Sequence, residues 1–167
     1  NYQFGCLSFE LNSGEQKLVC NSGFHFKKNN RLNNISKSTA AHSTLYLDNN
    51  SSCIINKSLL KEGLKITSKK IDSNENYNEV IARHNGYQKR YGYLHERNIK
   101  VFKKKKLITG KDSLIFVKNK KNFNFGIRFH IHPNTKMVKT KDMNSVLLSM
   151  ANGDGWKFIC PSFQIKI

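Results

Sequence analysis

The 167-residue sequence has little of several residue types, and each shortage excludes a class of protein. Two prolines and ten glycines are too few for a collagen-like or low-complexity chain. No run of about 18 apolar residues occurs, so we predict no membrane span. The four cysteines form no C-x-x-C pair, which argues against a zinc-finger framework. These shortages leave an ordinary globular domain as the expected class.

Acidic residues are also scarce, and this shortage bears on the partners of the chain. Lys and Arg number 29 against 11 Asp and Glu, which gives a formal net charge of +18. Such a surface attracts nucleic acid, anionic lipid or acidic polysaccharide. Only five of the 29 are arginine, however, whereas phosphate recognition favours the bidentate geometry of arginine. We therefore expect no nucleic-acid partner, and we attribute much of the charge to the codon bias of an AT-rich genome.

Residues 122–132 carry the clearest pattern that is present. They read N-F-N-F-G-I-R-F-H-I-H, in which large apolar side chains alternate with polar ones. Successive side chains of a strand point to opposite faces of a sheet, so this period predicts a strand. We expect one continuous strand that buries five apolar side chains on one face. The other face would present Arg128, His130 and His132, which are groups able to bind an anion.

Other short alternating segments predict further strands. They cover residues 6–11, 16–21, 43–48, 78–84, 91–103, 107–117, 136–141, 145–150 and 156–160. Residues 22–38 are polar and predict a long surface loop, whereas residues 56–78 give no clear pattern. Short strands at this spacing, without a long capped helix, are typical of a sandwich or a barrel. The predicted fold class is therefore all-β and antiparallel.

Cysteine positions leave two interpretations open. Cys6 and Cys20 fall on the two arms of a predicted hairpin, where a disulfide is conceivable. Scattered thiols more often serve as buried small hydrophobic side chains. The cysteines do not indicate a compartment.

Several phrases of the sequence, taken in order, resemble one family. They are L-S-F-E-L at 7–11, S-T-A-A-H-S-T-L-Y-L-D at 38–48, H-N-G-Y-Q-K-R-Y-G-Y-L-H-E-R at 84–97, G-K-D-S-L at 110–114, G-I-R-F-H-I-H-P at 126–133, S-V-L-L at 145–148 and N-G-D-G-W-K-F at 152–158. This ordered set is similar to the carboxyl-terminal β-sandwich domain of the heparinase II/III-like polysaccharide lyases, in particular its alphaproteobacterial-type branch. The resemblance implies a two-layer antiparallel β-sandwich that occupies residues 1–167 as a single domain.

The resemblance also implies an activity and its partners. The family cleaves uronic-acid-containing polysaccharides, such as glycosaminoglycans or alginate, by β-elimination. An amino-terminal α/α toroid supplies the tyrosine acid/base and the sandwich closes the cleft, so we expect this segment of a longer chain to be inactive alone. The implied partners are an acidic polysaccharide and that toroid, and the implied location is the periplasm or cell envelope. The alternative is a non-catalytic carbohydrate-binding or cleft-closing module.

Four positions correspond to site residues of the family. Before its first strand, the family often writes H-x-H-A-D, a catalytic histidine and then a metal histidine. Asn1 and Gln3 stand at those two positions here. Asn21 stands where an aspartate usually follows the second strand, and His42, in A-A-H-S-T-L, keeps a family metal ligand.

The chemistry of these four residues sets what we expect of the site. Asn1 and His42 are the candidate catalytic residues, and Gln3 and Asn21 are candidates for binding substrate. Their amides either hydrogen-bond a sugar or only satisfy backbone groups. One imidazole with two amides is a poor set of zinc ligands. We therefore expect no cofactor, with His42 as the remaining candidate metal ligand.

Two other groups of histidines have competing explanations. His130 and His132 can chelate a metal if a neighbouring strand supplies a third ligand, but we favour a cross-strand polar network. Arg128 is a further candidate for binding substrate. The histidines and tyrosines of residues 84–97 would either stack sugar rings or, as we favour, form a sheet surface of amphipathic side chains.

Overall fold

The computed structural model describes residues 4–23, 31–56, 59–118 and 122–167, which are mostly strand. In chain order the strands are β1 (Leu11–Ser13), β2 (Gln16–Cys20), β3 (Leu45–Leu47), β4 (Ile54–Asn56), β5 (Leu59–Glu62), β6 (Ile66–Ser73), β7 (Tyr77–His84), β8 (Tyr93–Phe102), β9 (Leu107–Phe116), β10 (Phe125–Ile127), β11 (His130–Ile131), β12 (Lys136–Lys139), β13 (Ser145–Ser149) and β14 (Gly155–Ile159). Two short helices, α1 (Arg31–Lys37) and α2 (Gln88–Tyr91), and a 3-10 turn at Thr39–Ala41 lie between them. None of these described helices has the length and hydropathy needed to cross a bilayer.

Every pairing between the strands is antiparallel. The sheet orders are β1-β2-β11, β3-β10, β12-β13-β14, β4-β5 and β6-β7-β8-β9. None of these described sheets closes into a barrel. The prediction of an all-β antiparallel sandwich is therefore confirmed.

Two apolar cores hold the sheets together. The first core joins β2 to β13 and consists of Leu18, Val19, Val146, Leu148 and Met150. The second core joins β3 to α2 and consists of Leu45, Leu47, Tyr87 and Tyr91. Tyr93 of β8 and Leu114 of β9 pack against this second core, so it also attaches the four-stranded sheet.

The predicted continuous strand over residues 122–132 is wrong in one respect. It divides at Arg128 and Phe129, because β10 pairs with β3 whereas β11 pairs with β2. The alternating apolar side chains consequently enter two different cores, with Ile127 against the second and Ile131 against the first. Phe125 is 46% exposed, so the five apolar side chains do not form one buried face.

Other differences from the predicted strands have local causes. Within residues 6–11 only Leu11 lies in a strand, because the chain turns at Leu7, whose φ is 59°. Residues 22–38, predicted as a loop, include α1, and residues 24–30 lie outside the described part. Strand β6 falls in the stretch that gave no pattern; six of its first seven side chains are exposed. The predicted disulfide alternative is not formed, since Cys6 and Cys20 are free thiols.

Candidate functional site

His42 lies in the wall of a cleft of about 440 Å³. His42 directly follows the 3-10 turn, which ends at Ala41, and its side chain is only 2% exposed. Residues from four separate segments face the same cleft, among them Gly5, Cys6, Glu10, Asn21 and Cys53. The fold therefore brings together His42 and Asn21, two of the residues that the sequence singled out.

The ring of His42 is held in one orientation. Its Nδ1 lies 2.8 Å from the carbonyl oxygen of Ser38, and a carbonyl can only accept, so Nδ1 carries the hydrogen. In the neutral ring Nε2 is then the acceptor nitrogen. A Cβ atom on Gly5 would overlap the ring, so only glycine permits this close approach. The geometry therefore fixes the tautomer of His42, with the hydrogen on Nδ1 and the lone pair on Nε2.

Asn21 lines the cleft, and its side chain also supports the segment that carries His42. Its Oδ1 accepts a hydrogen bond from the backbone N–H of Ser43 at 2.9 Å. Its Nδ2 makes a longer contact of 3.5 Å to the carbonyl of Phe9. The Asn21 side chain also hydrogen-bonds the Glu10 carboxylate. Asn21 therefore positions the residue after His42 and connects it to Glu10.

Glu10 places a carboxylate in the same cleft. Lys17 Nζ donates to its Oε2 at 3.2 Å, and the backbone N–H of Asn21 donates to its Oε1 at 3.3 Å. The hydrogen bond from Lys17 lowers the pKa of Glu10 below its usual range. The carboxylate is therefore ionised at neutral pH and oriented by two donors.

The remaining predicted site residues do not join this group in the described part of the chain. Asn1 and Gln3 lie outside the described residues. Arg128 stacks over the ring of Tyr46 at 4.5 Å, and its Nη1 donates to the carbonyl of Ala40 at 3.2 Å. His130 Nε2 contacts the same carbonyl at 3.0 Å. Arg128 and His130 thus share one backbone acceptor away from the lining of the His42 cleft.

The described side chains do not supply a zinc site at the cleft. Within the described ranges, no three His, Cys, Asp or Glu side chains come together so that they could hold a metal ion. The oxygen of Asn21 that would replace an aspartate ligand already accepts the Ser43 N–H. A neutral amide oxygen is also a weaker zinc ligand than a carboxylate.

A buried polar network behind the cleft was not predicted. It joins three strands of the four-stranded sheet through His84 of β7, His95 and Arg97 of β8, and Asp112 of β9. His84, His95 and Arg97 are 1%, 0% and 4% exposed. The interpretation of residues 84–97 as a sheet surface is therefore wrong at these positions. Alternation identified the face that they share, but the sequence did not show that this face is covered.

The hydrogen bonds of this network run in one direction. The backbone N–H of Gly86 donates to His84 Nδ1 at 3.0 Å, so His84 must carry its hydrogen on Nε2. His84 Nε2 then donates to His95 Nδ1 at 3.0 Å. His95 Nε2 in turn donates to Asp112 Oδ1 at 2.6 Å. Each imidazole therefore has one defined tautomer and is neutral.

Charges within the network explain the direction of its pKa shifts. Burial, together with the neighbouring His95 and Arg97, lowers the pKa of His84 to about 3. Burial alone would raise the pKa of Asp112, but hydrogen bonds from His95 and Arg97 outweigh burial and lower it. Arg97 makes a two-point contact with Asp112 at 2.8 and 3.0 Å. The network thus contains one compensated ion pair and two neutral rings.

Arg97 connects the network to the cleft. Its Nη1 donates to the carbonyl of Ser43 at 2.7 Å and to the carbonyl of Leu7 at 2.9 Å. Ser43 follows His42, and Leu7 follows Cys6, so one guanidinium fixes two walls of the cleft. This arrangement makes Arg97 a positioning residue for His42.

Comparison with known proteins identifies the family of the chain. The family model described as "Heparinase II/III-like, C-terminal" matches residues 1–167, the whole chain. Searches of curated proteins and of solved structures gave no match. A family model that covers every residue shows the family, so the chain belongs to the heparinase II/III-like family, as its carboxyl-terminal domain.

Proposed function

We propose that this chain is the β-sandwich domain of a polysaccharide lyase that cleaves uronic-acid-containing glycans by β-elimination, in the periplasm or cell envelope. Its family is one of polysaccharide lyase domains. The observation that carries the proposal is the His42 ring, fixed by Ser38 and Gly5 with Nε2 as its acceptor nitrogen, in the wall of a cleft. The amino-terminal toroid implied by the family would supply the tyrosine acid/base.

The reaction explains why a histidine and an amide are useful at the cleft. A proton next to a carboxylate is too weak an acid until the developing negative charge is stabilised. When protonated, His42 would donate from Nε2 to the sugar carboxylate; when neutral, Nε2 would accept a proton. The Nδ2 of Asn21, now engaged by Phe9 and Glu10, would exchange one of these contacts for a carboxylate or hydroxyl oxygen of the sugar. The net charge of +18 would attract the polyanionic chain to this surface.

Roles for Asn1, Gln3 and Arg128 remain predictions. Asn1 as a catalytic residue and Gln3 as a substrate-binding residue follow from the family positions alone. Arg128 lies on the ring of Tyr46 rather than in the cleft lining. It would therefore bind a sugar of the same glycan at some distance from His42.

The test is an elimination assay on the full-length protein. With glycosaminoglycans or alginate, wild-type protein should form unsaturated ends that absorb ultraviolet light. His42→Ala should lower kcat by a factor of about 100 or more, as expected for loss of a general acid or base. His132→Ala is the control, because His132 Nδ1 accepts only a local hydrogen bond from the Asn134 N–H. Unchanged kinetics of His42→Ala would make His42 a structural residue.

The second candidate function is a carbohydrate-binding or cleft-closing module without catalysis. The hydrogen bond between the Ser43 N–H and Asn21 favours it, because the oxygen of that amide already has a structural role. In this case the folded full-length protein would bind acidic glycans in a calorimetric titration and form no unsaturated product from any of them.

A further inference from the structure

The inner face of the four-stranded sheet is buried along only half of its length. Ala82, Arg97 and Asp112 form one row across β7, β8 and β9. The next row towards the cores contains His84, His95 and Leu114, and the second core packs on that end. Away from the cores, β7 extends for five residues beyond Ala82, as far as Tyr77. At the usual rise of a strand this length is about 16 Å.

Beyond the buried rows, most side chains of the inner face are aliphatic, with the hydrogen-bonded pair of Ser73 and Asn78 at the outer end. We call these side chains the aliphatic face: Ile71, Val80, Ile99, Val101 and Ile108. They share a face because Ile71 pairs with Val80, Val80 with Ile99, and Val101 with Ile108, each in step with the buried rows. Ile71, Val80 and Val101 are 63%, 44% and 39% exposed, and none of the five belongs to either described core. Contiguous exposed apolar side chains mark an interaction surface.

The outer face of the same strands is different, which shows that exposure is not a general property of this sheet. Glu79 accepts hydrogen bonds from Asn98 at 2.9 Å and forms an ion pair with Lys100 at 3.3 Å. Lys100 also lies 4.0 Å from the centre of the Tyr77 ring. Paired polar side chains thus cover much of the outer face, although Ile81, Phe102 and the exposed Leu107 also lie there. The inner rows beyond Arg97 are richer in aliphatic side chains.

Charge around the aliphatic face indicates the kind of partner. Lys69 lies on the inner face, in the same row as Ala82. Four exposed lysines form the turn at 103–106, which follows β8 next to Val101 and Ile108. In the described rows beyond Asp112 the inner face carries no carboxylate. The carboxylates of Asp72 and Glu79 occupy opposite positions of β6 and β7 on the outer face. A second copy of this chain would bring the same lysines and be repelled. An apolar patch rimmed by carboxylates would be attracted.

We propose that the aliphatic face is the surface on which the preceding domain of the same polypeptide docks, through an apolar patch rimmed by acidic residues. The inference rests on the proposed function for the existence of that domain, since the matching family model describes a carboxyl-terminal unit. It adds the location of the interface. Arg97, which holds two walls of the His42 cleft through Leu7 and Ser43, lies one row from Ile99 on the same face. A domain docked on the aliphatic face would therefore stand beside that cleft.

The experiment compares full-length protein with Val80→Glu and the double variant Val80→Glu/Ile99→Glu. A charge placed in a docked apolar interface would be buried without a partner. Limited proteolysis between the domains should therefore become on the order of tenfold faster, and the radius of gyration in solution scattering should increase. Val138→Glu is the matched control, because Val138 of β12 is 61% exposed in a different sheet. It should behave as wild type.

Other results would overturn the proposal. Unchanged proteolysis and scattering in the double variant would exclude this interface, even if wild-type protein is an active lyase. Dissociation of a wild-type dimer by Val80→Glu would identify a second copy as the occupant. Loss of binding to phosphatidylserine vesicles would identify a membrane instead. If Val80→Glu fails to fold by circular dichroism, the isosteric Val80→Thr replaces it: a hydroxyl in a docked apolar interface should also speed proteolysis between the domains, by a smaller factor. Lyase activity is measured separately on wild-type protein, so its absence would contradict the proposed function and not the docking surface.

Discussion

At the scale of single residues, the cleft depends on the contact between Gly5 and His42. The imidazole occupies the space that any side chain at position 5 would need. The Ser38 carbonyl then fixes the ring by accepting from Nδ1. Position 5 therefore controls where Nε2 points, although glycine itself has no functional group.

Gly5→Ala should displace the His42 ring and reduce lyase turnover of the full-length protein by about tenfold or more, since small misplacements of a reacting group are costly. The measurement is kcat on an acidic glycan, with thermal unfolding recorded in parallel. Gly110→Ala is the control, because a Cβ there meets no atom within 4 Å. Equal activity of both variants would show that ring placement is not important for turnover.

Residue identity predicted part of this site. The family phrases indicated that His42 and Asn21 belong together, and the two residues do line one cleft. The sequence did not show that Asn21 Oδ1 bonds to Ser43, because that contact depends on how two segments 22 residues apart meet. It also gave no sign that Arg128 would stack on Tyr46, since the pairing of β10 with β3 brings them together.

At the scale of elements, strands β7, β8 and β9 are joined by side chains as well as by backbone hydrogen bonds. His84 and His95 face each other on β7 and β8, Asp112 lies diagonally across from His95 on β9, and the three form the directed chain of hydrogen bonds. Removing one partner of such a buried group is more costly than the bond itself, because the other partner remains unsatisfied. The network therefore makes the register of the three strands specific.

The free energy of unfolding of the chain should fall as the pH falls below 6.5. The folded pKa of His84 is lowered from its ordinary 6.5 to about 3, so between these values the unfolded state binds more protons. Its contribution is fully present above pH 6.5, and about 2 kcal/mol should be lost by pH 5. Urea unfolding at a series of pH values measures this loss.

Two variants test whether His84 causes this pH dependence of the free energy of unfolding. His84→Asn should be less stable at pH 8 but should have a flatter dependence between pH 6.5 and 5, because the titrating ring is absent. His132→Asn should keep the wild-type slope, because His132 is not part of the network. A wild-type slope in His84→Asn would show that another group causes the acid sensitivity.

Periodicity predicted the elements unevenly, for physical reasons. It identified β8 and β9, because long paired strands keep a strict alternation. It did not show which half of their inner face is covered, since Ile99 and Arg97 occupy equivalent positions of the pattern and only Arg97 lies under the second layer. It joined β10 and β11 into one strand, because a change of partner sheet at Arg128 leaves the alternation intact.

At the scale of the whole molecule, the net charge of +18 should favour polyanions in general, whereas the cleft should favour acidic sugars. Binding of any polyanion will weaken with salt through counterion release, so salt dependence alone does not identify the partner.

Competition provides the discriminating measurement. Alginate or a heparin-like chain should displace a fluorescent DNA duplex from the full-length protein at a concentration of charge about tenfold lower than unlabelled DNA requires. Neutral dextran, as the control, should displace none. Displacement by DNA at the lower concentration would instead support a nucleic-acid partner.

The division of residues 125–131 between two sheets also bears on how the chain folds. Pairing of β10 with β3 and of β11 with β2 joins segments about 80 and 110 positions apart in the sequence, whereas β6 to β9 need only successive hairpins. Contacts of high sequence separation form slowly because a long loop must close first. On the ribosome, the four-stranded sheet can therefore assemble early, and the sandwich is completed only after residue 131 has emerged.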